Sequence, residues 1–168
     1  MQADIVGAGD KWIPDEEYRT IRSRVPIACV DLLAVTDQAK PRVGLIHRKT
    51  YNQRQGWCLI GGAVLIDESL DSAVRRHLTA TLGTSIFIVQ GTLRMVLVAE
   101  YFRDRRSRSL YDPRKHAIAL THVGVCIGEP EPVGEASDFQ WFSIDDLPLP
   151  SEFGFGQDRI VRRLIKAI

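Results

Sequence analysis

Three groups of residues in this 168-residue chain carry side chains able to do chemistry. The first is a basic run. Arg103, Arg105, Arg106, Arg108, Arg114 and Lys115 stand against only Asp104 and Asp112 between positions 103 and 115. The whole chain has a net charge of +1, so the positive charge is local and the remainder is slightly acidic. Such a distribution suits an anionic partner held at one place, or else a solvated loop. The second group lies between Gly61 and Gly83, where Glu68, Arg76 and His77 are spread over a loop and a helix. A neutral imidazole such as His77 can serve as a base near its ordinary pKa of about 6.5. The third is a set of polar residues within or beside apolar segments: Asp31, Glu100, His116, His122 and Glu135. A carboxylate inside a strand needs a partner, and an arginine is the expected one for Asp31. A lone histidine on a strand, such as His122, more often packs than catalyses.

The elements that must position these groups follow from pattern. Pro14 followed by Asp15, Glu16 and Glu17 predicts a helix start, since acidic residues complement its positive end. Pro26 ends it. Ile27–Val35 and Val43–Ile46 read as strands joined by a turn at Asp37–Pro41. Trp57–Ile60 reads as a third strand, ended by Gly61-Gly62. From Ser69 to Leu82 the period changes: Leu70, Val74, Leu78 and Leu82 recur every four residues, which predicts an amphipathic helix capped by Gly83. Ile86–Gln90, Leu93–Phe102, Ile118–Ile127 and Phe139–Ile144 read as strands, with a rigid polar turn at 129–132. Ile160, Val161, Leu164, Ile165 and Ile168 form one face of a last helix. Strands that do not alternate regularly with helices predict an α+β fold, a mixed β-sheet sandwich flanked by helices.

Composition narrows the classes. With 45% apolar and 26% charged residues, the chain is neither disordered nor low in complexity. It is expected to form one domain over residues 12–168 after a flexible tail at 1–11. The uncharged run from Cys58 to Ile66 is far short of the ~20 residues that span a bilayer. No basic and apolar leader is visible at the N-terminus. Cys29, Cys58 and Cys126 are widely spaced and odd in number, which predicts reduced, buried thiols in a cytoplasmic protein. No helix-turn-helix segment is evident and the body is not basic, so nucleic acid is not the expected partner.

The segment from Gly61 to Gly83 resembles the Nudix box, GX5EX7REUXEEXGU, with Gly62, Glu68, Arg76 and Gly83 as anchors in register and Leu78 in its apolar slot. The three glutamate slots of that motif fall on His77, Ala80 and Thr81. On a helix these positions share one side, where carboxylates would be hard oxygen ligands for Mg²⁺; an imidazole, a methyl and a hydroxyl are not. Ser23–Asp31, Arg48 before Gln55-Gly56-Trp57, and Asp138–Phe142 resemble the GDP-mannose mannosyl hydrolase branch, over roughly residues 12 to 148. That branch hydrolyses the sugar–phosphate bond by attack at the sugar carbon. The resemblance implies that Arg48 contacts a diphosphate, that Asp31 lies near the nucleoside, and that Arg76 belongs to the substrate site. It puts the branch's remaining box ligand at Thr81, its other side-chain ligand at Glu135 and its general-base histidine at Ala136. Ile60 stands where that branch has proline. Trp57 and Trp141 are candidates to stack a base, or core residues.

The expected function is therefore a Nudix-type domain that binds a nucleoside diphosphate derivative, such as a nucleotide sugar, with weak or absent metal-dependent hydrolysis. His77 and Glu135 are the candidate catalytic groups and Glu135 the candidate metal ligand, with Mg²⁺ or Mn²⁺ required only if the protein turns over substrate. The alternative is a non-catalytic ligand-sensing or interaction module on the same fold, and the effect of Mg²⁺ or Mn²⁺ on turnover separates the two. By the same resemblance a homodimer is expected, with Trp12 and Ile13 contributing to its interface.

Overall fold

A computed structural model describes residues 13–105 and 110–168. The strand β1 (Ile27–Val35) is its axis, apolar but for Asp31 and buried at every position except Ala28. It needs cover on both faces and partners on both edges. Along one edge it pairs in parallel with β8 (Ala117–Gly128), from Ile27 opposite Ala117 to Val35 opposite Val125. The other edge divides. Cys29–Leu32 pair antiparallel with β4 (Ile60–Ala63), and Ala34 and Val35 pair with β2 (Arg42–Lys49). β2 carries β3 (Gln55–Cys58) and β9 (Ala136–Ser143) on its two edges. β8 carries β6 (Arg94–Phe102) and, further along, β5 (Ile86–Ile88). A two-residue strand, β7 (Leu110–Tyr111), lies beyond Tyr101 and Phe102 of β6.

Alternation along β1 sends its side chains into two cores. Val30, Leu32 and Ala34 meet Ala73, Val74, Leu78 and Leu82 of α2 (Leu70–Leu82) on one face. Cys29, Leu33 and Val35 join Ile160, Val161 and Leu164 of α3 (Asp158–Ile165) on the other. Tyr18 and Ile21 of α1 (Asp15–Arg24) pack against that second core. The result is the expected α+β arrangement of a mixed sheet between helices. The Ser69 hydroxyl accepts from the Ser72 amide at the start of α2, and Gly83 caps its end with φ of 77°.

Several boundaries differ from expectation. Trp57–Ile60 is not one strand: β3 and β4 divide at Leu59, and Gly61-Gly62 lie inside β4 rather than at a strand-to-helix turn. The reason is steric. A Cβ on Gly61 would stand 2.1 Å from the Val30 carbonyl oxygen, so only glycine lets β4 approach β1 this closely. Val89 and Gln90 fall outside β5, and Ile168 lies beyond α3 with its side chain exposed. The anticipated tail, Trp12 and residues 106–109 of the basic run lie outside the described residues. Ile13 is exposed. All three cysteines are unpaired and buried. No helix among the described residues is long and apolar enough to cross a membrane.

Candidate functional site

A pocket opens on the α3 side of the sheet where β1, β4, β6 and the start of β8 converge. Asp31 forms part of its wall. Period-2 alternation points this side chain to the same face as Cys29, and Tyr101 of β6 reaches it there: the Tyr101 hydroxyl donates to Asp31 Oδ2 at 3.0 Å. Gln157 Nε2 donates in turn to the Tyr101 oxygen at 2.7 Å, and Gln157 Oε1 accepts from the Leu59 amide at 2.9 Å. The partner of Asp31 is thus a phenol, not the expected arginine. Burial pushes the Asp31 carboxyl up to about 6, against the Tyr101 hydrogen bond and the nearby charges of Lys115 and Arg48.

Cations line the same pocket. Arg48 Nη1 lies 2.6 Å from Glu135 Oε1. Arg114 makes two hydrogen bonds to the Asp112 carboxylate, at 2.9 and 2.8 Å. Lys115 Nζ donates to Cys29 Sγ at 3.5 Å, and burial pushes the Cys29 thiol up, keeping it protonated at neutral pH. Phe155 is flanked by both guanidinium groups, with Arg48 Cζ 5.9 Å and Arg114 Cζ 5.1 Å from its ring centre. Its backbone has φ of 56°, a conformation costly for a phenylalanine. The segment is held there because Gly154 sits tightly on β3, its amide donating to the Trp57 carbonyl at 2.9 Å. A Cβ on Gly154 would stand 2.4 Å from Cys58 Sγ.

The box residues are arranged differently. Glu68 and Arg76 form a close pair, with Nε to Oε1 at 2.6 Å and Nη2 to Oε2 at 2.7 Å. Arg76 Nη2 also donates to the Ala63 carbonyl, and Glu68 Oε2 accepts from the Leu65 amide. This clamp closes the loop between β4 and α2, so Arg76 is committed to the scaffold and not to the pocket. His77 packs on Gly62, where a Cβ would stand 2.5 Å from its ring. Its Nε2 lies 3.0 Å from the Ala63 carbonyl, which makes that nitrogen the donor. Burial pushes its pKa down to about 4, so the ring is neutral at pH 7 and a weak base. The Thr81 hydroxyl donates to the His77 carbonyl of its own helix at 2.8 Å.

A divalent metal does not fit this helix face. Mg²⁺ takes oxygen ligands, usually including one or two carboxylates. Here one slot is a neutral imidazole whose Nε2–H is engaged by the Ala63 carbonyl, a nitrogen donor and not a carboxylate, one is a methyl, and one a hydroxyl turned to its own backbone. Glu135 is engaged by Arg48 instead. Among the described residues no group of three or more His, Cys, Asp or Glu side chains is placed to hold a metal ion.

The pocket therefore unites Asp31, Arg48 and Gly62 of the expected site residues, with Glu135 bound to Arg48 at its edge. His77 and Arg76 lie behind Gly62 and Ala63. Trp57 packs on His47 and Phe142, and Trp141 on Phe139; neither lines the pocket. His122 is buried, and His116 stacks on Phe102 at 4.6 Å. Glu100 is an exposed residue of β6. Tyr101, Arg114, Lys115, Phe155 and Gln157 were not anticipated as site residues. The basic run was the one signal for two of them, since Arg114 and Lys115 are its last members.

Comparison with known proteins agrees with this architecture. The chain matches the family described as "Domain of unknown function (DUF4916)" over residues 8–168. No curated protein matches it. Among solved structures it is similar to a possible asymmetric diadenosine tetraphosphate hydrolase of Jonesia denitrificans, with 24% identity and a TM-score of 0.75 over 85% of this chain and 94% of that one. The Nudix domain of Shewanella oneidensis NrtR, solved with ADP ribose, shares 18% identity at a TM-score of 0.62 over 92% and 99% of the two chains. A MutT Nudix hydrolase of Burkholderia pseudomallei shares 27% identity at 0.58 over 76% and 90%. The fold is the Nudix fold.

Proposed function

Starting from a chain that belongs to the DUF4916 family and has the Nudix fold, we propose that it binds a nucleoside diphosphate derivative in the Asp31–Arg48 pocket and does not hydrolyse it through a box-bound metal. The observation that carries this reading is the pocket's division of charge. Arg48 and Lys115 offer cations for phosphate oxygens, a guanidinium fork being suited to two of them at once. Asp31, buried among them, offers an acceptor for ligand N–H or O–H groups. A nucleotide sugar meets both demands, having a diphosphate between two groups rich in donors. The resemblance to the GDP-mannose mannosyl hydrolase branch favours that class, and the ADP ribose held by the NrtR domain is a ligand of the same build.

The box supplies no general base matched to neutral pH. His77 is held neutral with its Nε2 proton on a backbone carbonyl, and the slot of the branch's general base is Ala136, whose methyl has no lone pair to take a proton. A ligand-sensing module is accordingly the reading favoured over a hydrolase. The test is calorimetric titration with GDP-mannose and ADP ribose, with and without Mg²⁺, beside an assay for released sugar and nucleotide. Binding without turnover, weakened in Arg48→Ala by about 1.5–3 kcal/mol, is the expected result. Equal affinity of Arg48→Ala and wild type refutes the pocket. Turnover at about 1–10³ s⁻¹ refutes the non-catalytic reading.

A further inference from the structure

The two arginines at the pocket are held by carboxylates in different ways. Asp112 is buried, with its side chain 5% exposed. It grips Arg114 through both guanidinium hydrogen bonds and also accepts from the Arg114 amide at 3.0 Å. That is a closed local unit, three residues long, whose opening would strand a buried charge. Glu135 reaches Arg48 through one oxygen and across 87 positions of chain. Its side chain is 39% exposed, and the residues before it, 129–134, form a loop outside any strand or helix. A single contact to a solvated carboxylate is the exchangeable kind, since water can replace it at small cost.

We infer that Glu135 is an internal competitor for Arg48: its carboxylate occupies the guanidinium in the ligand-free protein and is displaced by a ligand phosphate. The inference rests on the proposed diphosphate site and adds to it which cation exchanges. Arg48 changes partner, Arg114 keeps Asp112 and supports Phe155, and Lys115 faces the pocket with a neutral thiol as its contact. Glu135 is then a positioning residue that sets how strong an anion must be to enter. This role differs from that of a metal ligand or a general base. Removing its charge should strengthen anion binding, where removing a ligand or base would weaken binding or activity.

The experiment is titration of inorganic pyrophosphate in the presence of a chelator into wild type, Glu135→Gln, Arg48→Ala and the double variant. Thermal melts establish that each is folded; Glu135 is exposed and the glutamine keeps its shape. Glu135→Gln should bind about two- to five-fold more tightly than wild type, the ratio equivalent to a partly exposed ion pair of up to about 1 kcal/mol. In the Arg48→Ala background the same substitution should change nothing. Glu135→Asp, which keeps the charge, should stay near wild type. Unchanged or weaker binding in Glu135→Gln, with Arg48→Ala still weakened, overturns the competitor role and leaves the diphosphate site standing. Equal strengthening in both backgrounds also overturns it, since the effect would then be general electrostatics and not release of Arg48. Failure of wild type and Glu135→Gln alike to bind pyrophosphate overturns the diphosphate site itself.

Discussion

Asp31→Asn separates what Asp31 does for the ligand from what it does to the fold. In the unfolded chain its carboxyl ionises near 3.8, and in the folded protein near 6, because burial disfavours the charged form. Between those values the unfolded chain has lost its proton while the folded protein keeps it. The unfolded state therefore binds fewer protons, and stability falls as pH rises. The contribution is fully present below about pH 3.8 and is lost as pH passes about 6. A difference of roughly two pH units corresponds to about 3 kcal/mol, of which about 2 kcal/mol develops between pH 4.5 and 7.5. Asparagine is neutral throughout, and its oxygen can still accept from Tyr101. Urea unfolding of both proteins at several pH values, compared as a difference, isolates this one group from all other titrations. Asp31→Asn should gain on wild type by about 2 kcal/mol over that window while binding GDP-mannose more weakly at pH 7.5. A stability difference that does not change with pH would refute the buried, high-pKa assignment of Asp31.

Other outcomes follow from the same geometry. Arg76→Ala should lower stability by about 1.5–3 kcal/mol in urea unfolding, because it removes both guanidinium hydrogen bonds to the part-buried Glu68 carboxylate and leaves it only the Leu65 amide. Arg76 holds the Glu68 carboxyl below its usual range, so this deficit should be present above about pH 4.5 and shrink as acid protonates Glu68. Gly61→Ala should cost about 1–3 kcal/mol or more in thermal melts, since its Cβ meets the Val30 carbonyl oxygen and the Asp31 Cα of the β1 backbone, which cannot swing aside as a side chain would. Ser69→Ala should cost about 1 kcal/mol through loss of the helix cap. Mg²⁺ titrated into the ligand-free protein should give no saturable heat at micromolar concentration, and a stoichiometric site would refute the reading of His77, Ala80 and Thr81.

Near-neighbour information was legible before the fold was known. The span of α2, its Ser69 start and its Gly83 end follow from period and caps, because helices are governed by contacts three and four residues away. The spacing of Gly62, Glu68, Arg76 and Gly83 marked the loop and helix that the Glu68–Arg76 pair closes. That His77, Ala80 and Thr81 bring no carboxylate to their positions on the helix could likewise be seen from residue types alone. What tertiary structure decided is where each polar group points. Nothing local says that Arg76 serves its own loop while Arg48 serves the pocket; that depends on which carboxylate, Glu68 or Glu135, the fold brings to each. Asp31 found Tyr101 from 70 positions away through the register of β1, β8 and β6. Phe155 and Gln157 reached the pocket because Gly154 lets their segment cross β3. Arg114 and Lys115 were visible as charge, but only the turn after β7 brings Lys115 to Cys29. A pocket assembled from single residues on separate strands carries no period in sequence, and its chemistry is set by burial and proximity that exist only once the sheet has closed.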